Sequence, residues 1–192
     1  MHSPGVCGVV LASGSHSGAG DAQSKAKAVS LGELIDALKD DTEMVLVALG
    51  GDAESLAPVV WARAAYVVPV APGATDADAL RLMLQEVLSR GRDAALVASL
   101  ESFALTAETV HRMVTAYRAA PDEIWAVVPE SATQQGHPVL MGRRIIELFL
   151  RGQKWSAADE ILSANLEHVR SLQAVDPAAP VASAKAWKAP WD

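Results

Sequence analysis

Apolar runs of strand length recur along this chain, and the stretches between them carry apolar residues at steps of three and four. The runs are VCGVVLA (6–12), EMVLVAL (43–49), AYVVPVA (65–71), DAALVAS (93–99), EIWAVVP (123–129) and, more faintly, HVRSLQAV (168–175). Near-continuous apolar runs suit strands buried on both faces, and the intervening periodicity suits covering helices, so the alternation predicts a mostly parallel sheet between two helical layers. In 106–118, Ala107, Val110, Met113, Val114 and Tyr117 form one stripe, with Thr106 placed to cap the start and Thr109 standing where a capping-box acid would be. The stretch 75–89 repeats the design with Ala79, Leu80, Met83, Leu84 and Val87, and Thr75 or Asp76 is its cap. Further helices are expected at 31–39, 53–64, 139–150 and 156–164.

With 192 residues and 51% hydrophobic content, the chain has material for one substantial core. There is no internal repeat and no linker, so residues 1–176 are expected to form a single α/β domain. The Ala- and Pro-rich tail 177–192 carries Trp187 and Trp191 as possible surface anchors. No apolar stretch is long enough to cross a bilayer and the first residues lack the pattern of a secretory leader, so the expectation is a cytoplasmic protein without a membrane partner. The net charge is −7 with no Lys/Arg block, which argues against a polymeric nucleic acid as partner and leaves a small-molecule nucleotide. Cys7, the single cysteine, reads as a small buried side chain.

In a parallel sheet, ligands bind beyond the carboxyl ends of the strands, where the strand order reverses. The polar residues just after each strand are therefore the candidates. Ser13-Gly14-Ser15-His16-Ser17-Gly18-Ala19-Gly20 follows the first strand, and its glycines let backbone N–H groups turn toward an anion. Glu101 follows the fourth strand and Gly136-His137-Pro138 the fifth, and the three places are expected to converge on one edge. The loop matches neither the dinucleotide fingerprint nor the P-loop, so a flexible surface turn is the other reading of it. His16 has no ligand-spaced histidine partner and reads as a surface residue. Asp52 reads as a helix cap, and Arg143 and Arg144 as solvated residues at a helix start. No G-x-S-x-G elbow is present, and neither nucleophilic catalysis nor hydride transfer has a foothold.

The order VVLASG…G…K, then the strand ending at Glu101-Ser102-Phe103, then GHPVLMGRRIIELF, resembles the MobA-like nucleotidyltransferases, the molybdenum cofactor cytidylyl- and guanylyltransferase family. The resemblance spans roughly residues 6–175 in the order of its elements. It implies a three-layer α/β/α sandwich of the nucleotide-diphospho-sugar transferase type, with a mostly parallel Rossmann-like sheet. It also implies transfer of a nucleoside monophosphate from CTP or GTP to a phosphorylated acceptor such as molybdopterin, with Mg²⁺ as cofactor, by a monomer or homodimer. Carried over by position, Leu11, Ala12, Ser13, Gly14, Ser15, Gly18 and Gly20 bind nucleotide, Lys25 is the catalytic cation and Glu101 the metal ligand. Gly136, His137 and Pro138 shape the acceptor site.

The sequence departs from the family pattern L-A-A-G-x-S-x-R-M-G-x-x-K within that loop. Gly18 and Ala19 stand where the family has Arg and Met, and Lys25 follows Gly20 after four residues rather than two. Glu101 replaces the Asp of a D-x-P segment. GQKWSA, beginning at Gly152, replaces G-D-x-G-x-R, and of a terminal acidic stretch only Asp176 remains as a candidate. Two readings follow: an active nucleotidyltransferase, or a catalytically inactive relative that binds a nucleotide, a cofactor or a partner enzyme. A third is an α/β domain that has left this chemistry altogether.

Overall fold

A computed structural model describes residues 5–12, 21–51, 53–100, 105–129, 138–152 and 158–172. The apolar runs form β1 (Val6–Ala12), β2 (Met44–Leu49), β3 (Tyr66–Pro69), β4 (Ala94–Ser99), β5 (Ala126–Pro129) and β7 (Val169–Leu172); a further strand, β6 (Val139–Gly142), joins them. The helices are α1 (Asp21–Lys39), α2 (Ala53–Trp61), α3 (Asp76–Ser89), α4 (Ala107–Arg118), α5 (Arg143–Arg151) and α6 (Ala158–Ala164), and a 3₁₀ turn spans Leu166–His168.

The strands make one sheet in the order β3-β2-β1-β4-β6-β5-β7. Among the described strands, only β6 runs against its neighbours, pairing Val139 with Val97 of β4 and Leu140 with Val127 of β5. Strand β1 shows how the layers are built. Cys7, Val9 and Leu11 pack into a core shared with α3 and α5, while Val6, Val10 and Ala12 pack into the opposite core with α1, α2 and α4. Period-two alternation thus feeds two cores from one buried strand, which is why its sequence reads as continuously apolar.

The helix caps follow the sequence. Thr106 Oγ1 accepts the Thr109 backbone N–H at 3.2 Å. Thr75 and Asp78 close a full capping box at the start of α3. Arg81 of α3 donates to the Leu150 carbonyl at 2.8 Å, tying α3 to the end of α5.

Several sequence expectations are corrected. The helix expected at 139–150 starts at Arg143, because Val139–Gly142 is strand. Val139 and Met141 enter one core and Leu140 the other, an alternation hidden inside a longer apolar run that also fits helical spacing. Helix α1 begins ten residues before the expected 31, since Asp21–Ser30 is rich in helix formers but lacks apolar periodicity. Strands β3, β5 and β7 are each four residues long, shorter than expected. Helix α2 ends at Trp61 rather than 64, closed by a Schellman motif in which the Ala65 N–H reaches the Val60 carbonyl at 3.1 Å and the Ala64 N–H reaches Trp61 at 3.0 Å.

Candidate nucleotide site

Because β6 alone of the described strands is reversed, the others present their carboxyl ends on one edge of the sheet. The order of connection reverses between β1 and β4, where Leu11 lies opposite Ser99. This is the switch point at which an open α/β sheet admits a ligand. The chain leaves β1 there toward residues 13–20, leaves β4 toward 101–104, and leaves β5 toward 130–137 before entering β6 from the same edge at Pro138.

Four of the sequence candidates lie within the described residues. Leu11 and Ala12 end β1 with side chains packed in opposite cores, and the Leu11 carbonyl accepts the Leu100 N–H at 2.9 Å, so these two residues support the edge from beneath. Pro138 is buried at the entrance to β6. Lys25 is exposed in the second turn of α1. Lys25 thus lies near the end of α1 that follows directly on the 13–20 segment. The α1 N-terminus also carries the positive end of a 19-residue helix. Ser13, Gly14, Ser15, His16, Gly18, Gly20, Asp52, Glu101, Gly136, His137, Asp176 and the tail 177–192 lie outside the described residues.

Lys25 rides on α1, ahead of the helix start expected at 31, and the Ala/Lys/Gln composition of 22–28 is the sequence signal for that extension. The Val70–Thr75 turn, with no ionisable group in Ala71-Pro72-Gly73, begins where the strand expected at 65–71 stops at Pro69. It opens on the same edge beside β2 and β3, with the Val70 N–H bound to the Leu49 carbonyl at 2.8 Å and Gly73 at a φ of 81°.

Other singled-out residues take structural roles. Burial pushes the Cys7 thiol up to about 12, against the partial opposition of Arg90 and Arg92, so it holds no thiolate near neutral pH. Arg143 and Arg144 stand at the opposite, amino edge. Arg143 lies 3.5 Å from Asp93, and the Arg144 guanidinium carbon lies 5.4 Å from the Trp125 ring centroid. Gly152 closes α5 through its N–H to the Leu148 carbonyl at 3.2 Å. The Asp78 carboxylate, held below its ordinary range by hydrogen bonds from the Thr75 backbone and hydroxyl, is engaged in its cap.

Among the described residues no group of three or more His, Cys, Asp or Glu stands together to hold a metal ion.

No protein-family model matches the chain, and no curated protein matches its sequence. Solved structures do. Rv0371c from Mycobacterium tuberculosis superposes with a TM-score of 0.68 at 20% identity over 88% of each chain, and it has also been solved as a manganese complex. The 4-diphosphocytidyl-2C-methyl-D-erythritol synthase of Anaerococcus prevotii gives 0.65 at 11% identity, over 95% of this chain and 92% of its own. Glucosyl-3-phosphoglycerate synthase of M. tuberculosis gives 0.63 at 11% identity, over 88% of this chain and 70% of its own, and has been solved with Mn²⁺, UDP and glucosyl-3-phosphoglycerate. At these identities the likeness is one of architecture: the chain has the three-layer, mostly parallel Rossmann-like fold of the nucleotide-diphospho-sugar transferases.

Proposed function

We propose that this protein binds a nucleoside triphosphate at the carboxyl edge of its sheet and transfers the nucleoside monophosphate to a phosphorylated small molecule, releasing pyrophosphate. The observation that carries the reading is the switch point between β1 and β4, flanked by the start of α1 with the exposed Lys25. The enzymes that share this fold and handle cytidylyl- and uridine-diphosphate compounds support it. Within this reading the finer assignment is MobA-like: CTP or GTP as donor, and molybdopterin or a related phosphorylated compound as acceptor. Ser13, Gly14, Ser15, Gly18 and Gly20 offer backbone and hydroxyl donors to the phosphates, and Leu11 and Ala12 carry that loop. Gly136, His137 and Pro138 shape the acceptor side. Lys25 balances the charge of the triphosphate, and Glu101 is the acid that holds Mg²⁺. When bound, the cation neutralises the triphosphate and lowers the charge barrier to attack on the α-phosphate. What the chain itself supplies is positioning and electrostatic stabilisation.

A second reading rests on Gly18 and Ala19, where the resembled family carries Arg and Met: a protein that keeps the fold and a nucleotide grip but has lost turnover. Calorimetric titration with CTP, GTP and ATP, each with and without Mg²⁺, separates the two. Micromolar binding of one nucleotide that requires the metal is expected. Binding indifferent to Mg²⁺ favours the inactive relative, and no binding to any of the three overturns the nucleotide site.

A further inference from the structure

The strand pairing leaves a gap at the amino edge of the sheet, away from the candidate nucleotide site. Strand β2 begins at Met44, but its pairing with β3 begins only at Leu46, opposite Tyr66. The chain enters β3 through Ala64, whose φ of 55° lies in the left-handed region, and so does not pair with Met44 and Val45. Both residues line a cavity of about 330 Å³ there, together with Arg63 and Ala64 from the end of α2 and Lys39 and Asp40 from the end of α1. That volume is at the small end of those that hold a ligand.

The ladder shows which way the Val45 backbone turns. Pro69 has no N–H, so its pairing with Leu49 runs through the Leu49 carbonyl, which accepts the Val70 N–H at 2.8 Å. Polar groups alternate sides along a strand, so Leu49, Val47 and Val45 turn theirs toward β3. The acceptor due to the Val45 N–H is the carbonyl of Ala64, and the paired register stops short of it. Val45 is only 4% exposed, and no described residue supplies its N–H with another acceptor. A buried N–H in this position calls for a partner from outside the chain.

The charges around the cavity are of both signs. Lys39 Nζ and Arg63 Nε share the Asp36 carboxylate, at 2.8 and 3.1 Å, and each side chain keeps further N–H groups. Asp40 is exposed and acts on Lys39 only at longer range, while Glu43 is taken up by Arg92 at 2.7 Å. The carboxyl-terminal ends of α1 and α2 border the cavity and favour a cation. Lys39, Arg63 and Arg92 balance Asp36, Asp40 and Glu43, so a net ion of either sign gains little. A molecule carrying both charges meets a partner for each.

We propose that this cavity binds a small zwitterion of the free amino acid class, independently of any nucleotide. Its carboxylate is taken by the Val45 N–H, Lys39 and Arg63, and its ammonium by Asp40 and the helix ends. The left-handed Ala64 is then strain kept at a binding site, since the turn it makes is what holds the chain clear of Val45.

Titration of the isotope-labelled full chain with each protein amino acid in turn, followed by amide resonances, tests this. With at least one of them the Val45 amide should shift and saturate, whereas acetate and methylammonium, each carrying one of the two charges, should move it far less. Lys39→Gln and Asp40→Asn change exposed side chains and leave the core intact. Each should weaken the affinity for that amino acid by about two- to fivefold, the worth of an exposed charge pair. A Val45 amide that moves with none of the set overturns the site. So does a response to acetate as strong as to the amino acid, the mark of an adventitious ion only, and so does an affinity unchanged in either variant.

Discussion

Gly142 shows how one position is decided by backbone proximity. It caps α5 with an extended φ of −78°, so no conformational demand requires glycine there. Space does: a Cβ would meet the Trp125 carbonyl oxygen at 2.9 Å and the Tyr117 hydroxyl closer still. Gly142→Ala should therefore destabilise the protein by about 1–3 kcal/mol, the usual cost of overpacking. Adding Tyr117→Phe should recover only part of it, because the carbonyl belongs to the backbone and cannot rotate away. Denaturant unfolding of the single and double variants measures this, and a change within the error of the fit for Gly142→Ala would refute it. The sequence shows Gly142 only as one letter of GHPVLMGRR; its crowding comes from Tyr117 and Trp125, seventeen and more residues earlier in the chain. Cys7 is the opposite case, since its place inside an apolar run already predicts the buried, inert thiol that the structure contains.

Among the elements, the starts of α3 and α4 were legible in the sequence. Thr75 and Thr106 both cap as their positions predict, because capping depends on a hydroxyl and a backbone N–H three residues on, all local. The end of α2 was not legible. Its Schellman motif puts Ala64 at a φ of 55°, in the left-handed region that favours glycine, and no glycine marks the turn. Ala64→Gly should stabilise the protein by about 0.5–1 kcal/mol, the left-handed strain relieved less the added entropy of the unfolded chain. A rise in the denaturation midpoint is the expected result, and an unchanged or lower midpoint would refute the assignment of strain. Strand β6 went unread for a different reason. Four apolar residues running into a helix satisfy both a two-residue and a 3.6-residue period, and only pairing with β4 and β5 separates them.

At the scale of the whole molecule, the candidate site is a property of strand order. Lys25 on α1 and Glu101 after β4 are 76 positions apart in sequence, yet the parallel pairing of β1 with β4 sends the chain toward both from adjoining strand ends. If the proposed transfer takes place there, Lys25→Ala and Glu101→Ala should each lower turnover by more than about tenfold, since each removes charge compensation during the reaction. Steady-state assays with CTP or GTP and a phosphorylated acceptor read this, and unchanged turnover in both variants would remove the two residues from the site. The sequence by itself determined the buried runs, the α/β alternation, the caps of α3 and α4 and the inert cysteine, because periodicity, capping and hydrophobic burial are written within a few neighbouring residues. The order of the strands, the reversal of β6, the crowding at Gly142 and the stack of Trp125 on His168 were decided only by the tertiary structure. Each depends on which distant segments share one sheet, and that pairing energy has no local period to read.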